Sequence, residues 1–359
     1  NQDRREVVNG VYVHRINFPF QTIPLIGGLL YFFIYRYFLF FYIIFMSRKY
    51  KIDVLHVHDL PFALATCLAG KITRKPVFFD MHEDYVEMIA WSMKEKKGVK
   101  KIVNVLLSKV LEIEERICIA LSTKILVVVE EEIRRLSIIG ASSEKIEVIP
   151  NTADLEELDN ISVSSSYTVT GFNNKFVISY IGGFSKHRGL DTLVKAMPII
   201  LNEIPNAHLL LVGDGEMKEQ LLRLCKDLNI EENVTFTGWV SFKEAMNYVK
   251  ISDVCVIPYH KTRQTNKSFP HKLSQYMYFG KAIFVSDVKS LKRIIEETRC
   301  GVVFEASNPN DLAEKIIKAK KLGVLERLGI NGKIAAIKKY NWRNTSKKLV
   351  SLYEGLKNE

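Results

Sequence analysis

Three short segments combine glycines, basic residues and helix starts in an order that suits a phosphate-bearing ligand. In Tyr180–Leu193, YIGGFSKHRGLDTL, an apolar run ends in Gly182–Gly183. A basic loop with Lys186 and Arg188 follows, and Gly189 opens a helical pattern with Asp191 near its start. Glycines let a backbone approach a ligand closely, and a helix N-terminus offers unpaired N–H groups to an anion. Two added cations make that point fit a diphosphate. In Ser268–Ser286, SFPHKLSQYMYFGKAIFVS, Pro270 suits the first turn of a helix running through Gln275 and Met277 to Gly280. His271 and Lys272 stand at the positive end of this helix, a second anion site, and Gln275 can hydrogen-bond ribose hydroxyls. In Leu209–Glu216, LLLVGDGE, a strand runs into a glycine turn. Asp214 and Glu216 sit in that turn, and no Asp-x-Asp pair occurs elsewhere, so no metal site is expected. Each segment also has a plainer reading, a tight turn or a solvated surface. Their order along the chain carries the specificity.

These segments need strands to position them. At 359 residues the chain exceeds what one hydrophobic core usually supports, and two domains are expected. β-Branched runs at Val54–Val57, Val77–Phe79, Ile125–Val129 and Lys145–Ile149 alternate with helical patterns, the rhythm of a parallel sheet. The periodicity fails around 155–175, where serine, threonine, glycine and asparagine mark a linker. A second series starts at Phe176–Ile181 and continues through His208–Val212, Asn233–Phe236, Val254–Pro258, Ala282–Ser286 and Gly301–Phe304. The expected organisation is an α/β first domain over 1–160, a linker over 161–175, an α/β second domain over 176–338 and a closing helix within 339–359 that packs back on the first. Ligands of such open sheets bind beyond the carboxyl ends of the strands, in the cleft between the halves.

With 47% hydrophobic and 25% charged residues the chain is a foldable globular one. Its net charge of +11 is uneven, for residues 1–110 hold sixteen Lys and Arg against nine Asp and Glu. Such a surface suits phosphates or anionic lipid. No nucleic-acid module is visible, so nucleic acid is not an expected partner. The five cysteines are scattered and form no Cys-x-x-Cys, which fits a reducing cytosol. Residues 24–46 have the length of a membrane span, yet Arg36 near the centre is costly in lipid, so a buried or interfacial helix is expected. Residues 91–101, WSMKEKKGVKK, mix aromatic and lysine side chains, as a surface resting on anionic headgroups does or as a solvated loop does. The first strand is expected over Val7–Ile16, and the chain, opening on Asn1, reads as entered partway through a domain.

The ordered set of motifs resembles the retaining glycosyltransferase group 1 superfamily, family 4, with the GT-B fold of two Rossmann-like domains. It is carried by DVLHVHDLP, VFFDMHEDY and TKILVVVEEEIRRLSIIGASSEKIEVIPNTAD in the first half. YIGGFSKHRGLDTLVKA, LLLVGDGE, VTFTGWV, ISDVCVIPY and SFPHKLSQYMYFGKAIFVSD carry it in the second. The resemblance runs from about Asp53 to Trp342. It implies that His82 lies near the transferred sugar and that Arg188 takes the basic position binding donor phosphates. It also implies that Gly182 and Gly183 approach the diphosphate and that Trp239 and Val240 hold the nucleotide base. In the family's Glu-x7-Glu, the first acid binds sugar hydroxyls and the second ribose; Lys267 and Gln275 stand there instead. The backbone across Ser268, Phe269, Pro270 and His271, with an amide N–H on each of them but Pro270, is the expected substitute. The family's glycine-rich acceptor loop after the first strand does not occur.

The implied reaction moves a sugar from a UDP- or GDP-linked donor to an acceptor hydroxyl, with retention, without a metal or other cofactor. The acceptor is expected to be a glycan or lipid-linked precursor of a cell-surface polysaccharide or glycolipid. A cytoplasmic enzyme, peripheral on the inner membrane face, fits. Lys267, Gln275 and the missing loop also fit a donor-binding pseudoenzyme or scaffold. Another GT-B enzyme, such as a sugar-nucleotide epimerase, is a third reading.

Overall fold

The computed structural model describes residues 5–16, 26–82, 84–87, 98–161 and 171–356. Most of the basic segment 91–101 and of the linker 161–175 lie outside these residues. The chain opens on a two-stranded antiparallel hairpin, β1 (Arg5–Val8) and β2 (Val11–His14). The turn is Asn9–Gly10, both at positive φ (51° and 82°). Asn-Gly is a strong signal for such a turn, so the single strand expected over Val7–Ile16 is in fact broken by it.

The first Rossmann-like unit holds four parallel strands, β3 (Leu55–His58), β4 (Val77–Met81), β5 (Lys124–Val127) and β6 (Ile146–Val148), paired in that order. Around them lie α1 (Ile26–Lys49), α2 (Leu60–Thr73), α3 (Val99–Leu121), α4 (Glu131–Ile138) and α5 (Leu155–Asp159). The Arg36 side chain turns inward from α1. It donates to Glu114 Oε1 of α3 at 2.6 Å, with both side chains shielded from solvent, and to the Pro61 carbonyl at 2.8 Å. A charge that is costly in lipid is thus paired inside the protein. Among the described residues no helix is long and apolar enough to cross a membrane.

The second unit is a six-stranded parallel sheet, β7 (Phe176–Ile181), β8 (Ala207–Val212), β9 (Val234–Phe236), β10 (Val254–Ile257), β11 (Ala282–Ser286) and β12 (Gly301–Phe304). Its order is β12-β11-β10-β7-β8-β9. Every residue of β7, β8, β10 and β11 is buried, as expected of strands covered by helices on both faces. The covering helices are α6 (Leu190–Glu203), α7 (Lys218–Asp227), α8 (Phe242–Ile251), α9 (His271–Tyr278), α10 (Lys289–Thr298), α11 (Pro309–Lys321) and α12 (Leu325–Lys338). The strand order reverses between β7 and β10, which marks the crevice where ligands of such sheets bind. Finally α13 (Trp342–Gly355) returns to the first unit, where Leu349, Leu352, Tyr353 and Leu356 pack on buried Phe78, Leu126 and Ile149.

Candidate functional site

A cavity of about 410 Å³ opens at this switch point and is lined by both units. Strand β7 runs directly into Gly182, whose φ is +130°. A Cβ there would lie 2.7 Å from Lys272 Nζ, so glycine both permits the backbone and leaves room for the ammonium. Gly189, at φ +65°, tucks the start of α6 against the chain leaving strand β10, where a Cβ would sit 1.9 Å from the Pro258 carbonyl oxygen. The short turn Lys186–Arg188 between them aims Arg188 inward.

Arg188 stacks on the Tyr259 ring at 4.6 Å and donates to its hydroxyl. Lys272 Nζ lies 3.7 Å from the centroid of the Tyr180 ring. Burial, with Arg188 adding to it, holds the Lys272 ammonium well below the usual lysine range. Burial and Arg188 also push His187 down to about 4, so it is neutral near pH 7. Among the described residues neither Arg188 nor Lys272 is ion-paired with a carboxylate. A desolvated ammonium and a guanidinium stacked on Tyr259, both facing a glycine turn, form an anion site.

The start of α9 completes that wall. Pro270 is the residue before the helix rather than within its first turn. Phe269 is buried and stacks on Tyr340, so Phe269 lines the cavity while its ring serves the core. The Ser268 hydroxyl donates to the Thr265 carbonyl at 3.1 Å. His271 lines the cleft, where desolvation of its ring and the nearby His82 lower its pKa. Gln275 lies on the same helix and faces both this cavity and the next.

Lys267, where an acid was expected to read the sugar, is turned to the opposite unit. Its Nζ lies 3.1 Å from Asp84 Oδ2 and 2.9 Å from Glu132 Oε1. Arg263 reaches Asp84 and Glu87, and Arg293 reaches Glu131 at 2.7 Å. Cations of the second unit thereby grip carboxylates of the first along one rim of the cleft. Burial alone would raise Asp84, but Arg135 and Lys267 hold its carboxyl below the usual range.

A second cavity of about 740 Å³ continues on the first unit's side and shares His82, Asn151, Phe242, His271 and Gln275 with the first. His82 stands between them with its Nε2 3.0 Å from Asp80 Oδ2. The hydrogen bond to Asp80 raises the His82 pKa, against the opposing effect of burial. Burial would raise Asp80, yet hydrogen bonds from His56 and His82 hold it well below the carboxylate range.

Lys186, Trp239 and Val240 do not line the cavity. Lys186 is exposed, with its backbone N–H on Glu216 at 3.1 Å. Trp239 is 70% exposed at the rim, its ring 3.8 Å from where a Gly183 Cβ would be. Val240 is half-buried against the core.

The family model described as Glycosyl transferases group 1 matches residues 168–334, and that described as Glycosyltransferase Family 4 matches residues 2–157. The chain belongs to the group 1 glycosyltransferases. This glycosyltransferase is 26% identical over 313 residues to an uncharacterized glycosyltransferase of Methanocaldococcus jannaschii, covering 85% of this chain and 75% of the relative. It is 23% identical over 312 residues to the phosphatidyl-myo-inositol mannosyltransferase of Mycobacterium tuberculosis, covering 84% and 73%. Its fold is that of HepE of Anabaena, solved with UDP-glucose (TM-score 0.68, 16% identity, 88% of this chain and 82% of that one). It is equally that of a sucrose-phosphate synthase of Thermosynechococcus elongatus (TM-score 0.72, 18% identity, 99% and 86%). The GT-B arrangement of two Rossmann-like units is thereby established for this glycosyltransferase.

Sequence reasoning missed the cavity's partners in space. Tyr259 positions Arg188, and Asp84 and Glu132 neutralise Lys267; the one available signal was the acidic run Glu130–Glu132 directly after a strand.

Proposed function

We propose that this enzyme transfers a sugar, with retention, from a nucleoside-diphosphate sugar to an acceptor hydroxyl. The observation that carries this reading is the pair Arg188, half-buried on the Tyr259 ring, and desolvated Lys272 at the Gly182–Gly183 turn, neither ion-paired with a carboxylate among the described residues. Cleavage of the glycosidic bond leaves negative charge on the diphosphate, and cations already aimed there stabilise it as it forms. No metal is needed at the diphosphate. Gln275 and the start of α9 take the nucleoside, and Trp239 at the rim covers its base. His82, fixed by Asp80, positions the sugar where the two cavities meet. The UDP and UDP-glucose of the HepE structures support a uridine donor.

The acceptor reading favours a lipid-linked glycan or glycolipid, met at the inner membrane face. Two stripes on the first unit support it. Ile34, Tyr37, Phe38, Phe41 and Phe45 are exposed along α1, which ends in Arg48 and Lys49. Leu106, Val110, Ile113 and Ile117 are exposed at helical spacing along α3. Apolar stripes, with the basic end of α1 beside them, suit an anionic bilayer surface. The name of the mycobacterial relative, a phosphatidyl-myo-inositol mannosyltransferase, agrees with a lipid acceptor.

A panel of UDP- and GDP-sugars, assayed for transfer and slow hydrolysis in the presence of lipid extracts, tests the reading. Release of UDP or GDP dependent on one sugar is expected. Donor binding with no turnover across the panel would leave a donor-binding scaffold.

A further inference from the structure

A surface helix normally turns its large apolar side chains to the core and its polar ones to water. Helix α12 departs from this. Leu325 and Leu328 reach the core in its first turn. Beyond them its buried residues are Gly329, Gly332 and Ala336, while Ile330, Ile334 and Ile337 stand 53%, 46% and 54% exposed. The small inward residues have a local cause, because α12 lies directly on the C-terminal end of α9. A Cβ on Gly329 would fall 1.9 Å from the Gly280 carbonyl oxygen, and one on Gly332 would fall 3.3 Å from Met277 Cα. That close approach accounts for the glycines and leaves the outward isoleucines without a role in the fold.

The charges beside the isoleucines point to the partner. At 3.6 residues per turn the three isoleucines fall within about 60° of arc, with Lys333 on one side and Arg327 and Lys338 on the other. All three cations are exposed, and among the described residues none is ion-paired. Lys321 and Lys339, just outside the helix, are by contrast neutralised by Glu203 and Glu297. The helix's single acid, Glu326, sits in its first turn, where the helix dipole favours it. An apolar stripe between free cations seats a helix in the headgroup layer of an anionic bilayer. The isoleucines enter the acyl boundary, and the long basic side chains reach back to lipid phosphates. A nucleic acid would use the cations and leave the stripe in water.

We propose that α12 is a membrane contact carried by the second unit, resting on an anionic lipid bilayer through Ile330, Ile334 and Ile337. It rests on the bilayer reading of the first unit and adds that the unit holding Arg188 and Lys272 also meets lipid. The native cysteines are buried, so a cysteine placed on the surface can be labelled selectively. The full chain is prepared as Ile334→Cys and, separately, as Phe41→Cys of α1, each carrying a polarity-sensitive fluorophore. Each is mixed with phosphatidylcholine vesicles, with and without phosphatidylglycerol. Blue-shifted emission at position 334, quenched by brominated acyl chains, is expected only with phosphatidylglycerol and should fade at high salt. Lys333→Gln with Lys338→Gln should weaken vesicle binding by about tenfold while thermal unfolding is unchanged. A response at position 41 with none at 334 would overturn the proposal and leave the first unit's contact standing. A response at 334 with none at 41 would uphold α12 and overturn the first unit's contact, and silence at both would overturn both. A shift at 334 that needs no lipid and grows with protein concentration would give this face to a second copy of the chain and overturn the proposal.

Discussion

Arg188 and Lys272 owe their chemistry to a setting in which, among the described residues, no carboxylate is ion-paired with either. Replacing Arg188 removes charge-assisted hydrogen bonds of about 1.5–3 kcal/mol, so Arg188→Ala should weaken UDP binding by roughly tenfold to hundredfold and abolish transfer. Lys272 makes binding depend on pH in a defined direction. Its ammonium is present below its pKa and lost as pH rises through it, and burial lowers that pKa. UDP affinity should therefore fall at a pH below the ordinary lysine range, with proton uptake on binding, while Lys272→Arg should hold affinity to higher pH. Titration calorimetry in buffers of different ionisation enthalpy measures both. Lys186 and Arg188 look alike in the sequence, yet only Arg188 faces the cavity. The Tyr259 ring that selects it comes from the loop just after the neighbouring strand β10, 71 residues on. Likewise His56, His58 and Asp80 were not read as partners of His82, because the juxtaposition exists only once β3 and β4 are in register.

At the scale of elements, α1 illustrates how a span-like sequence becomes a packed helix. The sequence showed that Arg36 is out of place in lipid; its partner Glu114 lies 78 residues away and leaves no local trace. Removing one member of a buried pair strands the other at a cost of about 3–5 kcal/mol. Arg36→Met should thus lower the denaturation midpoint sharply, and Arg36→Met with Glu114→Gln should recover much of it. Equal stability of wild type and single variant would show that the pair holds nothing. The parallel strands and the glycine turn after β7 were legible because periodicity and turn chemistry are local. The Asn9–Gly10 hairpin was equally legible but was overrun by the surrounding valines.

For the whole molecule, the rim formed by Lys267, Arg263 and Arg293 against Asp84, Glu87, Glu131 and Glu132 joins the two units by charge. Lys267→Glu would set a third carboxylate between Asp84 and Glu132. The cleft should then open, seen as a larger radius of gyration in solution scattering, and UDP-sugar affinity should fall about tenfold or more (~1.4 kcal/mol). An unchanged radius and affinity would deny the rim any part in closure. Sequence alone showed Lys267 as a departure from the family's acid and no more, since Asp84 and Glu132 lie on the other unit.

The donor site remains the centre of the function, and calorimetric titration of UDP into wild type and Arg188→Ala measures it most directly. Saturable binding by the wild type and its loss, by tenfold or more, in a variant of unchanged thermal stability is the expected result. Equal affinity in the two proteins would contradict the assignment of the diphosphate to the Gly182–Arg188 turn.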